Sequence, residues 1–223
     1  MDTTRVFTKD LPGGRRLSGL VTVPPDFEKT TDLLPVIVFL HGIGERGDGT
    51  PAALETLKRH GPPKLFTKNP AYRGLRVVTV SPQCPADTTW DRLVPELLSY
   101  IDSAVSAFRG DPGNVSLTGL SMGGFGTWAL LFAAPEKFRR AAPICGGLRQ
   151  AQTAPKALKG KPIRVFHAVD DPVVPMEADL LPTRAAIAAG ADVSFTAYCG
   201  LGHDCWTKTY EETDLLAWLA GKR

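Results

Sequence analysis

The chain has 223 residues, 43% hydrophobic and 22% charged, and its 26 basic and 23 acidic side chains leave a net charge of +3. That balance excludes the disordered class and supplies no broad basic surface for nucleic acid or an anionic membrane. The length fits one domain over residues 1–223, since domains commonly run from about 50 to 250 residues.

Residues 1–14 are polar and lack the apolar run of a signal peptide. No segment reaches the ~20 apolar residues that span a bilayer. The expectation is a cytoplasmic protein, with secretion from a longer precursor as the alternative. Residues 15–23 alternate in part and end at Pro24-Pro25, reading as a strand. Residues 35–40 (PVIVFL) are continuously apolar and end at His41-Gly42. Residues 51–59 fit a short helix. Residues 75–80 (LRVVTV) end at Ser81-Pro82, with Gln83 next. Leu93, Leu97, Ile101, Ala104, Val105 and Phe108 then form one helical stripe. Residues 114–118 (NVSLT) lead into Gly119, and 122–134 are almost wholly apolar, as a buried helix would be. Strand-like runs at 141–144, 163–168 and 193–198 alternate with amphipathic stretches at 177–189 and 210–219.

Continuous apolar strands separated by helices predict an α/β fold with a mostly parallel central sheet flanked by helices. Ligands in such sheets bind beyond the carboxyl ends of the strands. The residues just past each run are therefore the ones to read for chemistry.

Gly119-Leu120-Ser121-Met122-Gly123 fits the G-x-S-x-G pattern in the context it requires, after a strand and before a helix. Serine stands at a sharp turn where flanking side chains would collide, so glycine occupies both sides. The helix amino end then lies beneath the reacting carbonyl. Ser121 is the candidate nucleophile. Ser116 lies inside a strand and Ser81 has no such turn.

A serine hydroxyl needs a base, and the chain has four histidines. His60 reads as an exposed loop residue and His167 as a core or supporting residue within a strand. His41 suits a structural hydrogen-bonding role. His203, in Gly202-His203-Asp204 between the last strand and the last helix, is the candidate base. The imidazole needs an acid. Asp170 and Asp171 both follow residues 163–168, and spacing does not separate them; Asp204 adjoins the histidine and ranks third. Oxyanion donors are expected at the Met122 N–H and in His41-Gly42-Ile43-Gly44, with Ile43 first and Gly44 second. Trp90 and Trp206 are candidates for the pocket wall, with ordinary packing as the alternative.

Cys199 and Cys205 bracket His203, but the group lacks a fourth ligand and a usual zinc spacing. Free thiols are expected for these and for Cys84 and Cys145, with a local disulfide as the alternative. No metal and no cofactor is expected, as neither a phosphate loop nor a dinucleotide fingerprint is present.

Four motifs in order resemble the small α/β-hydrolases of the carboxylesterase and dienelactone-hydrolase type, closest to the predicted peptidases or phospholipase/carboxylesterase-like esterases. They are Leu40-His41-Gly42-Ile43-Gly44-Glu45-Arg46-Gly47, Gly119 through Gly124, His167 through Pro175, and Gly202-His203-Asp204. The resemblance runs from about Leu33 onward. It implies Ser121 as nucleophile, Asp171 rather than Asp170 as acid, His203 as base, and Ile43 and Met122 as oxyanion donors. One departure is Ala168, where the family usually carries glycine. The resemblance implies a serine esterase working through an acyl-enzyme. The short connection 145–162 leaves no room for a cap domain, so a small-molecule ester with a short acyl or small aromatic acid is the expected substrate. A peptidase of the same fold and an inactive binding module are the alternatives. The expected assembly is a monomer or homodimer, with no nucleic-acid or membrane partner.

Overall fold

Seven strands form where the apolar runs lie, and an eighth forms where the sequence is polar. The structure is a computed structural model that describes residues 3–11, 14–69, 72, 74–148 and 153–222. The strands are β1 (Thr4–Asp10), β2 (Arg16–Thr22), β3 (Leu34–Leu40), β4 (Val78–Pro82), β5 (Gly110–Leu120), β6 (Arg140–Ile144), β7 (Pro162–Ala168) and β8 (Asp192–Tyr198). They make one eight-stranded sheet in the order β1-β2-β4-β3-β5-β6-β7-β8. Strand β2 is antiparallel to both neighbours, and all pairings from β4 to β8 are parallel.

β1 was not expected. It sits at the sheet edge, and Val6 on it is exposed. Its Phe7 packs edge-on against Tyr100 and Phe108, at centroid distances of 5.3 and 5.7 Å. One good apolar contact in seven residues leaves no run to read, because an edge strand buries little.

The helices are α1 (Pro51–Leu54), α2 (Gly61–Lys68), α3 (Val94–Ala107), α4 (Met122–Ala133), α5 (Glu177–Ala188), α6 (Cys205–Glu212) and α7 (Leu215–Leu219). Helix α2 lies where the sequence led to no expected element, and its start carries Pro62 and Pro63. Both fall in its first turn, where the absent N–H would have no helical partner. The single helix expected over 210–219 is two, separated at Thr213 and Asp214.

Alternate residues of the central strands face opposite layers, and both layers are covered. On β3, Val36, Val38 and Leu40 join the core built with α3 and α4, while Ile37 and Phe39 join the core built with α2, α6 and α7. This two-sided burial is why the strand reads as unbroken apolar sequence. No separate cap domain is present among the described residues. Part of the 145–162 connection, residues 149–152, lies outside them.

The chain reverses its winding at β3: β4 lies on one side of it and β5 on the other. A crevice forms at such a switch point beyond the carboxyl ends of the strands. The glycine loop after β3 and Ser121 after β5 both leave the carboxyl ends of these adjacent parallel strands.

Helix α4 approaches the sheet more closely than a side chain allows. A Cβ on Gly123 would lie 1.9 Å from the Leu40 carbonyl oxygen, and one on Gly119 would lie 2.4 Å from the Gly123 oxygen. Backbone atoms of a central strand cannot move aside. Gly123→Ala should therefore lose about 3 kcal/mol of stability, lowering Tm by roughly 6–12 °C in a chain of this size. Thermal unfolding followed by circular dichroism checks this, and an unchanged Tm would contradict the close approach.

Candidate active site

Ser121 occupies the step from β5 into α4 with φ 53° and ψ −119°. A non-glycine residue there stores on the order of 1–3 kcal/mol of strain. The surroundings hold it in place. Its N–H donates to the Ile144 carbonyl at 2.9 Å, and its own carbonyl accepts from Phe125 at 3.1 Å.

The structure brings three of the expected residues into one line. Ser121 Oγ lies 2.9 Å from His203 Nε2. His203 Nδ1 lies 2.7 Å from Asp171 Oδ2. Asp171 Oδ1 accepts from the Val173 and Val174 amides at 2.8 and 3.0 Å. The Asp171 side chain is fully buried and His203 is 19% exposed. Burial alone would raise the Asp171 carboxyl. The His203 hydrogen bond and the Val174 and Val173 amides outweigh it and hold the acid below its ordinary range.

The other two aspartates hold backbone. Asp170 accepts from Gly200 N at 3.0 Å and Gly202 N at 3.1 Å, which ties down the loop carrying His203. Asp204 caps α6, accepting from Thr207 N and Thr207 Oγ1, each at 3.0 Å.

Ile43 and Met122 each begin a helical segment, the 3-10 turn Ile43–Glu45 and α4. First-turn N–H groups have no acceptor within their own helix. Ile43 is exposed, and apart from its chain neighbours no described atom lies within 4 Å of where a Gly44 side chain would begin, so these two residues face open space. Gly42 backs onto the elbow, with Ser121 Cβ 3.8 Å from its own Cβ position.

The loop is anchored from below by residues that the sequence left without a role or gave another. Buried Gln83 donates from Nε2 to the Glu45 and Ala53 carbonyls at 3.0 and 2.8 Å and accepts from Gly49 N at 3.0 Å. Trp90 is fully buried under the loop, donating from Nε1 to the His41 carbonyl at 3.0 Å with its ring edge-on to His41. Of the two roles expected for Trp90, pocket wall and ordinary packing, the structure corrects the first and leaves the second: a ring with no exposed surface lines no open pocket. Trp206 does stand beside the site. Its ring meets His203 edge-on at 5.2 Å and His60 at 5.6 Å, and it donates to His60 Nδ1 at 3.3 Å. His60 is accordingly part of that wall, 3.9 Å from the buried Glu45 carboxylate, rather than a free loop residue.

All four cysteines are free; Cys199 is exposed and the others are buried. Ligand atoms of Cys145, Asp171 and His203 approach within 4.8 Å of one another. Both His203 nitrogens are engaged by Asp171 and Ser121, and burial, with Cys205 next to it, pushes the Cys145 thiol well up. A metal ligand must be deprotonated, so this donor set is a poor fit for an ion.

The phospholipase/carboxylesterase family model matches residues 27–214. A thermostable esterase of known structure is 30% identical, with a TM-score of 0.83 over 98% of this chain. This chain spans 62% of that protein's length. The esterase PE8 is 18% identical (TM-score 0.69, 93% of this chain and 99% of that one). Serine hydrolase F of Staphylococcus aureus, which binds fluorophosphonate, is 15% identical (TM-score 0.71, 97% and 98%). The last two likenesses concern the fold alone. A comparison with curated protein sequences finds no match.

His41 offers a test of this loop that does not depend on catalysis. Its Nε2 accepts from Cys84 N at 2.9 Å, and its Nδ1 lies 2.6 Å from the Gly42 carbonyl, an arrangement suited to the neutral ring protonated at Nδ1. Burial, with Arg46 nearby, lowers it from 6.5 to about 4 despite the Gly42 hydrogen bond. The unfolded chain therefore binds the extra proton between those values, and this residue's contribution to stability falls as pH falls. At pH 5 the loss is on the order of 2 kcal/mol. Urea unfolding should show that His41→Gln destabilises less at pH 5 than at pH 7, by about that amount. An equal penalty at both pH values would mean that the ring is not held neutral.

Proposed function

Since the chain belongs to the phospholipase/carboxylesterase family of α/β-hydrolases, we propose that it is a serine esterase that works through an acyl-enzyme. The observation that carries this reading is the unbroken line from Ser121 Oγ through His203 to Asp171, at 2.9 and 2.7 Å.

In this mechanism His203 Nε2 takes the Ser121 proton as Oγ attacks the ester carbonyl, forming a tetrahedral oxyanion. The Ile43 and Met122 amides donate to that oxygen, each worth roughly 3–4 kcal/mol of transition-state stabilisation. Asp171 keeps the Nδ1 proton in place and balances the imidazolium. His203 then returns the proton to the leaving alcohol. Water, deprotonated by the same ring, attacks the acyl carbon, and Ser121 leaves with the proton to regenerate the site.

The open loop at Ile43 and Gly44 supports a shallow acyl site, suited to short-chain acyl groups or small aromatic acids. Trp206 and His60 stand on the His203 side, where the alcohol leaves.

A fluorophosphonate should add once to the protein, and Ser121→Ala should abolish both the adduct and hydrolysis of p-nitrophenyl esters, by at least about a thousandfold in kcat/KM. Asp171→Asn should lose a comparable factor. Asp170→Asn should lose no more than about tenfold, because it loosens a loop and leaves the triad's own bonds in place. Full activity in Ser121→Ala would sink the proposal. A preference for long acyl chains would refute the shallow site, and faster cleavage of peptide amides than of esters would make the enzyme a peptidase.

A further inference from the structure

Behind Asp171 lies a second histidine–aspartate pair that the reaction above does not use. His167 is the penultimate residue of β7, and Asp179 lies in the first turn of α5. Neither side chain has any exposed surface. His167 Nδ1 is 2.7 Å from Asp179 Oδ2, and its Nε2 is 2.9 Å from the Val174 carbonyl oxygen and 3.4 Å from Asp171 Oδ2.

The protons on this ring follow from its partners. A backbone carbonyl only accepts, so Nε2 carries hydrogen. Asp179 already accepts from two groups that cannot give up their role as donors: Trp128 Nε1 reaches Oδ1 at 2.6 Å, and Gly146 N reaches Oδ2 at 2.8 Å. Those bonds favour the carboxylate, which leaves the other proton on Nδ1. Burial pushes the imidazole down, but the Asp179 and Val174 hydrogen bonds prevail and the ring is shifted upward.

Resting on the triad assignment, we propose that His167 is held as an imidazolium and acts as a positioning residue for Asp171. Its position does two things. The Nε2–H to Val174 bond closes the 171–174 turn, whose amides grip Asp171 Oδ1. Its charge lies between two buried carboxylates, Asp179 and Asp171, so both stay ionised where two unscreened anions would not. With His203 protonated and the oxyanion formed, signs alternate along the whole line: Asp179 negative, His167 positive, Asp171 negative, His203 positive, oxyanion negative. In the resting enzyme the same cation opposes premature protonation of His203 from across Asp171. The other ionisable groups around the ring are thiols, Cys205 from α6 acting on His167 and Cys145 beside Asp179. Trp128 and Gly146 contribute only neutral donors.

The direct test is nitrogen NMR of the histidine-labelled protein at pH 8. One of its four histidines should carry protons on both ring nitrogens. The signal is assigned by its absence in His167→Gln or, should that variant not fold, by its persistence in the other three histidine variants. A singly protonated His167 at pH 8 overturns the proposal. In kinetics, His167→Gln should move the acid limb of kcat/KM upward by about one pH unit, and Asp179→Asn should move it the same way, because without that carboxylate His167 gives up its second proton. A mere staple would lower the rate equally at every pH, and an unmoved limb would overturn the electrostatic role. The two readings fail separately. An active Ser121→Ala removes the triad and leaves the NMR result intact, whereas a neutral His167 beside an inactive Ser121→Ala leaves the triad and removes this inference.

Discussion

The contact between Gly123 and the Leu40 carbonyl sets the geometry of the site. Two backbones, the start of α4 and the end of β3, touch with no side chain between them. Only that closeness brings the N–H groups after Ser121 alongside the glycine loop that leaves β3. The strained conformation of Ser121 has the same origin, since a chain that turns this sharply from strand to helix has to pass through φ 53°. The strain is tolerated because the elbow is fastened to β6 through Ile144 on one side and to the helix through Phe125 on the other. The switch point at β3 puts the ends of β3 and β5 side by side, and the glycine contact sets how closely the segments after them approach.

His41 and His167 show that burial keeps a ring neutral unless its partners outweigh it. Both are almost without exposed surface, and desolvation pushes both toward the neutral form. His41 faces one donor and one carbonyl, with Arg46 the nearby charge, so it stays neutral and serves as a spacer that orders the loop. His167 faces a carboxylate and a carbonyl, both acceptors. In a low-dielectric interior, that difference of one partner outweighs the shared burial.

What the sequence made legible follows from the same physics. Strands buried on both faces favour apolar side chains at most positions, so β3 through β7 stand out although Thr79, Ser116, Thr118 and His167 are buried among them. Candidates for chemistry at their ends are readable because turn residues mark where each run stops; Ser121, His203 and the two aspartates after β7 stand out in this way. Edge strand β1 buries one aromatic ring and left no pattern. The prolines of α2 mark a helix start as readily as a loop, and sequence alone does not choose. The sequence leaves Trp90 between pocket wall and ordinary packing, because the carbonyl that its indole N–H satisfies, that of His41, lies 49 positions away. Asp179 gave no signal, since an acid in a first helical turn is ordinary helix-dipole chemistry. Its role exists only through Trp128, Gly146 and His167, which lie 51, 33 and 12 positions away.

The two adjacent aspartates after β7 carry the last step. Spacing could not rank Asp170 and Asp171 because both were needed in the same turn. Successive side chains there point apart, so one dipeptide reaches two targets. Asp171 takes the His203 ring, and Asp170 takes the amides of Gly200 and Gly202, the residues that deliver that ring. The loops carrying Asp171 and His203 are thus braced against each other at both backbone and side chain. His203 therefore reaches Ser121 at hydrogen-bond distance although it stands on a loop with glycines at positions 200 and 202. A loop that is flexible by composition becomes a fixed arm because its hydrogen-bonding groups are satisfied from the neighbouring strand end. The rigid part of the fold extends past the sheet to His203 Nε2, and this bracing explains how so short a connection between β8 and α6 holds that ring within 2.9 Å of Ser121 Oγ.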